Sequence, residues 1–262
     1  MDPSTLPAAK ALNHSRVLIV GGTSGVGLET ARQLQEADAA RIVLVGRNAE
    51  RGAAALAKLG ADKRVTFISG DSGRTAETAR IAAEAAQAMG GIDVLVNSTV
   101  PDILPGLFHT LSADAIPQML QQLALPPMLM CSAVLPLMRE QRSGVIVNIA
   151  SDAGKSATPG ESVIGSAMAA IIMFSRTLAM EAKRDGVRVN VLTPSLIHGT
   201  ATGERVLKEG FSAKLFAKAA SMASLGVAEA SDLASLIVYL ASPAARRLTG
   251  QAISVNGGIS AA

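Results

Sequence analysis

The chain has no tryptophan, one tyrosine and one cysteine among its 262 residues. Aromatic residues make up only 2%, so few rings are available to stack on bases. Lys and Arg exceed Asp and Glu by only three, 24 against 21, and the surplus forms no basic cluster. These two shortages exclude nucleic acid as the expected partner. A lone thiol, Cys131, cannot close an internal disulfide, which fits a reducing, cytoplasmic setting. The opening MDPSTLPAAKALNHSR lacks the apolar core of a signal peptide, and residues 1–14 are expected to form a flexible tail. The longest apolar stretch, LALPPMLMCSAVLPLM (residues 123–138), is sixteen residues long and interrupted by Pro126 and Pro127. That is short of a membrane span, so a buried or interface helix is expected, without membrane association. No His, Cys and acidic side chains recur at metal-ligand spacing, so no metal site is expected.

What the chain does contain is apolar bulk, 49% of residues, supplied by Ala, Val, Leu, Ile and Met. Short β-branched runs alternate with helical patterns along the whole length. Strands are predicted at 16–20, 41–45, 64–69, 92–97, 144–150, 187–192 and 251–256. Helices are predicted at 26–37, after the second strand to about 59, and at about 76–89, 111–139, 162–184 and 231–241. Near-continuous apolar strands must be covered on both faces, which implies an α/β fold with a doubly wound, seven-stranded parallel sheet. Crossovers between parallel strands are right-handed. No linker divides the alternation, so residues 15–262 are expected to form one domain. Residues 194–226 carry no strand signal and many small side chains, and are expected to form a substrate lid.

GGTSGVG (residues 21–27) follows the first strand and opens a helix. Glycines at 21, 25 and 27 permit a tight turn and close approach to a pyrophosphate, and the helix N-terminus supplies N–H groups. In this strand–turn–helix setting the motif points to a Rossmann-type dinucleotide site. An NAD site has an acid about 20 residues beyond the glycines. Here the second strand ends Val45-Gly46-Arg47-Asn48, with no acid. Arg47 is either a solvated surface charge or a clamp for a 2′-phosphate, with Ser24 adding a hydroxyl. The second possibility favours NADP(H) over NAD(H).

From residue 15 to 258 the chain resembles the short-chain dehydrogenase/reductase family. The glycine motif matches with Val20 in place of a Thr. NSTV (97–100) stands for the family's NNAG and keeps only Asn97. IVNIAS (146–151), RVNVLTPS (188–195) and LTGQAISVNGG (248–258) resemble its later motifs. The resemblance implies a cofactor-contact set of Gly21, Thr23, Ser24, Gly25, Val26, Gly27, Arg47, Asn48, Asp71, Asn97, Pro194 and Ile197. Asp71 is either an adenine contact or a loop cap. The family's chemistry uses Asn, Ser, Tyr and Lys, and the matching positions hold Leu123, Ser151, Ile164 and Met168. Ser151 either orients a substrate or merely ends a strand. A free tyrosine titrates near 10 and needs a nearby cation to act at neutral pH. Ile and Met supply neither proton nor charge, and loss of a positioned acid costs ~10²–10⁴ in rate. Loss of the Lys also removes hydrogen bonds to the nicotinamide ribose, which weakens cofactor binding.

Three side chains could stand in for the acid. His109 and His198 follow the fourth and sixth strands, and Glu161 precedes Ile164 by three residues. Tyr239 lies in an apolar helix and is expected in the core or an interface. Three functions follow from this pattern. The chain could be an NADP(H)-dependent oxidoreductase with an altered acid acting on a carbonyl or alcohol. It could be a non-redox isomerase or dehydratase. It could be a pseudoenzyme that senses NADP(H) or partners an active relative. The lid, with Phe211 and Phe216, suggests a small apolar ligand. The resemblance implies a dimer or tetramer through the helices near 123–138 and 167–180, formed with itself or with an active relative.

Overall fold

The computed structural model describes residues 10–208 and 210–261. The strands are short runs with apolar side chains on both faces, and helices between successive strands return the chain to the same sheet edge. In order, the elements are β1 (Arg16–Val20), α1 (Gly25–Glu36), β2 (Arg41–Gly46), α2 (Ala49–Lys58), β3 (Val65–Ser69), α3 (Thr75–Met89) and β4 (Val94–Asn97). Then come α4 (Ala115–Gln141), β5 (Gly144–Ile149), α5 (Ser162–Ala182), β6 (Val187–Pro194), β7 (Ile197–His198), α6 (Ala201–Val206) and α7 (Gly210–Met222). The chain closes with β8 (Ala228–Glu229), α8 (Ala230–Ala241) and β9 (Ala252–Val255). Seven strands form one parallel sheet in the order β3-β2-β1-β4-β5-β6-β9, as the alternation predicts.

Side chains along each strand point alternately to the two faces. Val17 and Ile19 of β1 join the core under α1 and α8, with Leu34, Leu233 and Ile237. Leu18 and Val20 join the opposite core with Ile81, Met130 and Leu178 of α3, α4 and α5. Burying one such Leu or Ile contributes roughly 1.5–3 kcal/mol. The chain builds β1, β2 and β3 in one direction, then crosses back to place β4 on the other side of β1. The strand ends diverge at that reversal, where Val20 is paired with Asn97, and open a crevice there.

α4 starts later than the predicted 111, because Phe108–Thr110 forms a 3-10 turn and the Ser112 hydroxyl accepts the Ala115 N–H at 3.3 Å. It runs unbroken through Pro126, Pro127 and Pro136. Proline has no N–H, so the carbonyls of Gln122, Leu123 and Ser132 lose their helical donors. α4 and α5 are long and apolar enough to cross a membrane by length and composition. Both instead pack against each other and the sheet.

The strandless reading of 194–226 needs correction. Ile197–His198 pairs in parallel with Ala228–Glu229, and most of the remainder is helical, as α6 and α7. A two-residue bridge carries too little pattern to be read from sequence. Of the expected N-terminal tail, residues 1–9 lie outside the described residues. Leu12–His14 forms a 3-10 turn, and Lys10 Nζ lies 2.7 Å from Asp93 Oδ1.

Candidate active site

A cleft of about 870 Å³ opens along the C-terminal ends of β1, β4, β5 and β6. Its floor at β1 is the glycine turn. Gly21 has φ +83°, and a Cβ there would run into the Ser98 carbonyl. A Cβ on Gly27 would land on the Gly21 carbonyl. Gly27 therefore lies behind the turn and lets α1 pack against it; the other predicted residues of the loop line the cleft. Gly25 has φ +51°, and a Cβ there would meet only the Thr200 side chain across the gap, its methyl at 3.5 Å. Ser24 caps α1 without a side-chain bond to it, so its hydroxyl and the first-turn N–H groups face outward. Thr23 braces the end of β2, since a Cβ on Gly46 would sit 2.9 Å from its methyl.

At the β2 end Arg47 is exposed and lines the cleft. Asn48 also lines it, but its side chain accepts the Arg51 N–H at 2.9 Å and so caps α2. Asp71 serves as a loop cap, its Oδ1 accepting from Gly73 N at 2.9 Å, and its Oδ2 lies 3.7 Å from Arg74 Nε. Arg51 and Arg74 line this end as well, which the sequence reading missed. The available signal was their spacing, four residues after Arg47 and three after Asp71.

Asn97, at the end of β4, is buried and donates to Asn148 Oδ1 at 2.8 Å. Asn148 donates to Ser175 Oγ at 2.9 Å, which donates to the Ile171 carbonyl at 2.7 Å. Cys131 sits beside this chain of bonds, and burial pushes its thiol up to about 12, leaving it inert. Asn97 Oδ1 is also buried and has no partner among the described residues. A buried acceptor left open beside a glycine cradle fits a donor on a bound ligand, such as a ribose hydroxyl.

The inner end is apolar. Leu123, Ile164, Met168 and Ser151 line it, and Leu123 packs against an apolar cluster that holds Ile164, Met168 and Ala150, the residue before Ser151. α5 is held close because a Cβ on Gly165 would approach the Ala153 carbonyl to 2.7 Å, and one on Gly154 would approach Ala169 N to 2.7 Å. Ser151 Oγ accepts from Ala153 N at 3.2 Å, which leaves its O–H free to donate. Pro194 and Ile197 line the wall formed by β6 and β7, with Phe216 of α7 above them. Glu161, the N-cap of α5, lines the same end. Burial pushes its carboxyl up to about 7; a hydrogen bond with Thr158 opposes the shift and the Asp152 charge adds to it. His109 and His198 are both exposed and stand outside the cleft lining. Tyr239 is 43% exposed on α8, away from the cleft, and so is not in the core. Among the described residues no cluster of ligands could hold a metal ion.

Residues 15–210 match the family model described as short chain dehydrogenase. A 3-oxoacyl-[acyl-carrier-protein] reductase of Bos taurus is 31% identical over 244 residues, 92% of this chain and 96% of the relative. A 7alpha-hydroxysteroid dehydrogenase of Bacteroides fragilis is 29% identical, over 93% of each chain. The crystal structure of levodione reductase superposes with a TM-score of 0.87 at 25% identity, covering 95% of this chain and 98% of that one.

Proposed function

The chain belongs to the short-chain dehydrogenase/reductase family, whose members bind nicotinamide cofactors, and on that premise we propose that it is an NADP(H)-binding protein of oxidoreductase type in which standard Tyr/Lys carbonyl reduction is absent or much reduced. One observation carries the reading. A single cleft joins a glycine cradle at one end to buried Ile164 and Met168 at the other. The cradle, the free Ser24 hydroxyl and the open Asn97 Oδ1 suit the phosphates and ribose of a dinucleotide. Ile164 and Met168 offer the nicotinamide ribose no hydrogen bond and a substrate no proton.

The absence of an acid after β2, with Arg47, Arg51 and Arg74 lining that end, supports NADP(H) over NAD(H). Fluorescence titration is expected to give tighter binding of NADPH than of NADH. Arg47→Ala is expected to weaken NADPH roughly ten- to a hundredfold, because a charge-assisted bond is worth ~1.5–3 kcal/mol, and to leave NADH unchanged. Equal affinities, unaffected by the substitution, refute the preference.

The inner wall of Ile103, Leu123, Ile164, Met168 and Phe216 supports a ligand with an apolar body. The named relatives, two reductases and a dehydrogenase, support a carbonyl or alcohol group on it. Restoring the pair, as Ile164→Tyr with Met168→Lys, is expected to raise NADPH-dependent ketone reduction by ~10²-fold or more. The tyrosine alone is expected to add little without its cation. A wild type that already matches the double variant overturns the reading. NADPH binding with no turnover by either protein leaves the sensor or partner-subunit role. Exposed Leu125 on α4 and Met173 and Met180 on α5 support assembly of this chain with itself or with an active relative.

A further inference from the structure

Building on that reading of the cleft, the geometry points to Glu161 as its acid–base group, giving the carboxyl proton to the oxygen of a bound apolar carbonyl compound. Among the described residues, five ionisable side chains line the cleft: Arg47, Arg51, Asp71, Arg74 and Glu161. The first four gather around the ends of β2 and β3. Of the five, Glu161 alone stands away from these ends, one helical turn before Ile164 and close to Asp152, the residue after Ser151.

The fold half-buries this carboxyl at the cleft wall. Gly160, the preceding residue, packs under Phe211 of α7 with no room for a Cβ, and its carbonyl accepts the Gly106 N–H at 2.9 Å. Phe216, on the same helix, lines the cleft nearby. The charged neighbour that acts on Glu161 is Asp152, from the turn after β5, and it has the same sign. Lys155 after that turn, Lys214 and Lys218 of α7, Arg205 of α6, and Asp102 and His109 before α4 stay outside the cleft lining. Burial beside a like charge favours the protonated carboxyl, and its titration near 7 suits proton transfer at neutral pH.

A reduced nicotinamide dinucleotide, when bound, supplies the hydride that the carbonyl carbon gains. Glu161 breaks its O–H bond, the proton bonds to the carbonyl oxygen, and the product is the alcohol. The Ser151 hydroxyl donates to that oxygen and orients it. The Glu161 carboxylate then takes a proton back from water. In the reverse direction the carboxylate accepts the alcohol proton.

Three measurements on the full chain test the assignment. Infrared difference spectra without cofactor are expected to show a carboxyl band that titrates near pH 7 and disappears in Glu161→Gln. Absence of any carboxyl titrating above pH 6 overturns the proposal. With NADPH and an apolar ketone, wild-type reduction is expected to fall as pH rises through about 7. Glu161→Gln is expected to lose ~10²–10⁴-fold in rate while binding NADPH as before, and Glu161→Asp to recover part of the loss. Glu161→Gln with the wild-type rate and pH profile overturns the proposal, as does a wild type that binds NADPH and reduces no ketone. Failure of the wild type to bind NADPH instead defeats the cofactor reading, and the carboxyl band tells the two failures apart.

Discussion

Gly25→Val is expected to abolish saturable NADPH binding while leaving the circular dichroism spectrum unchanged. Gly25 opens α1 and lines the cleft, so a side chain there occupies the space in which a pyrophosphate meets the helix N–H groups. The surrounding protein does not resist it sterically, since a Cβ at this position meets only the Thr200 side chain, its methyl at 3.5 Å. The structural penalty is confined to the backbone, where φ is +51°. A left-handed residue other than glycine costs roughly 1–2 kcal/mol. For a chain of this size that lowers Tm by about 2–8 °C. Blocking two charge-assisted bonds to phosphate, at ~1.5–3 kcal/mol each, lowers affinity by ~10²-fold or more. Titration by fluorescence checks the affinity and calorimetry checks Tm. Affinity within about threefold of wild type would show that the turn is not an anion cradle.

The largest stability loss is expected from Asp93→Asn, far from the cleft. Asp93 precedes β4 with its side chain 5% exposed. It accepts from Arg16 N at 3.0 Å, Arg16 Nε at 2.7 Å, Arg16 Nη2 at 2.8 Å and Lys10 Nζ at 2.7 Å. Arg16 also donates to the Gly90 carbonyl and, at 2.7 Å, to Gln141 Oε1. One carboxylate thus joins the start of β1 to β4 and, through Arg16, to the ends of α3 and α4. Breaking a buried pair costs ~3–5 kcal/mol, and the partial exposure of Arg16 reduces this to about 2–3 kcal/mol. Tm is expected to fall by about 4–12 °C at pH 7.

The pH dependence has a definite sign. Burial works to raise the Asp93 carboxyl, but the bonds from Arg16 and Lys10 outweigh it and hold it below the usual carboxylate range. A depressed folded value contributes stability above the unfolded pKa, near 3.9, and that contribution disappears as pH falls through the folded value. The gap between wild type and variant is therefore expected to narrow in calorimetry below pH 4. A gap as wide at pH 3 as at pH 7 would contradict the account.

Much of the fold was legible because its causes are local. Runs such as Val17 to Val20 can be satisfied only by cover on both faces, and the helices between them can only be crossovers. The spacing of Gly21, Gly25 and Gly27 specified a tight turn, and the structure reproduces it, with no room for a Cβ on Gly21 or Gly27. The strandless reading of 194–226 failed on a contact distant in sequence. The β7–β8 pair joins residues about thirty apart with two residues each. Asn48, expected as a cofactor contact, lines the cleft, and its oxygen also accepts the Arg51 N–H, a local competition that spacing alone does not rank.

The chemical end of the cleft divides the same way. Motif register alone places Ile164 and Met168 where the family resemblance expects Tyr and Lys. Places after strands and just before Ile164 offer His109, His198 and Glu161 as replacements. Choosing among these three required the folded chain. Exposure and a place outside the cleft remove the two histidines. Glu161 is drawn in because it lines the cleft and is half-buried there, beside a turn on which α7, some fifty residues later, lays Phe211 over Gly160. A pKa is set by the solvent and charge around a group. Those surroundings arrive from other parts of the chain once it folds.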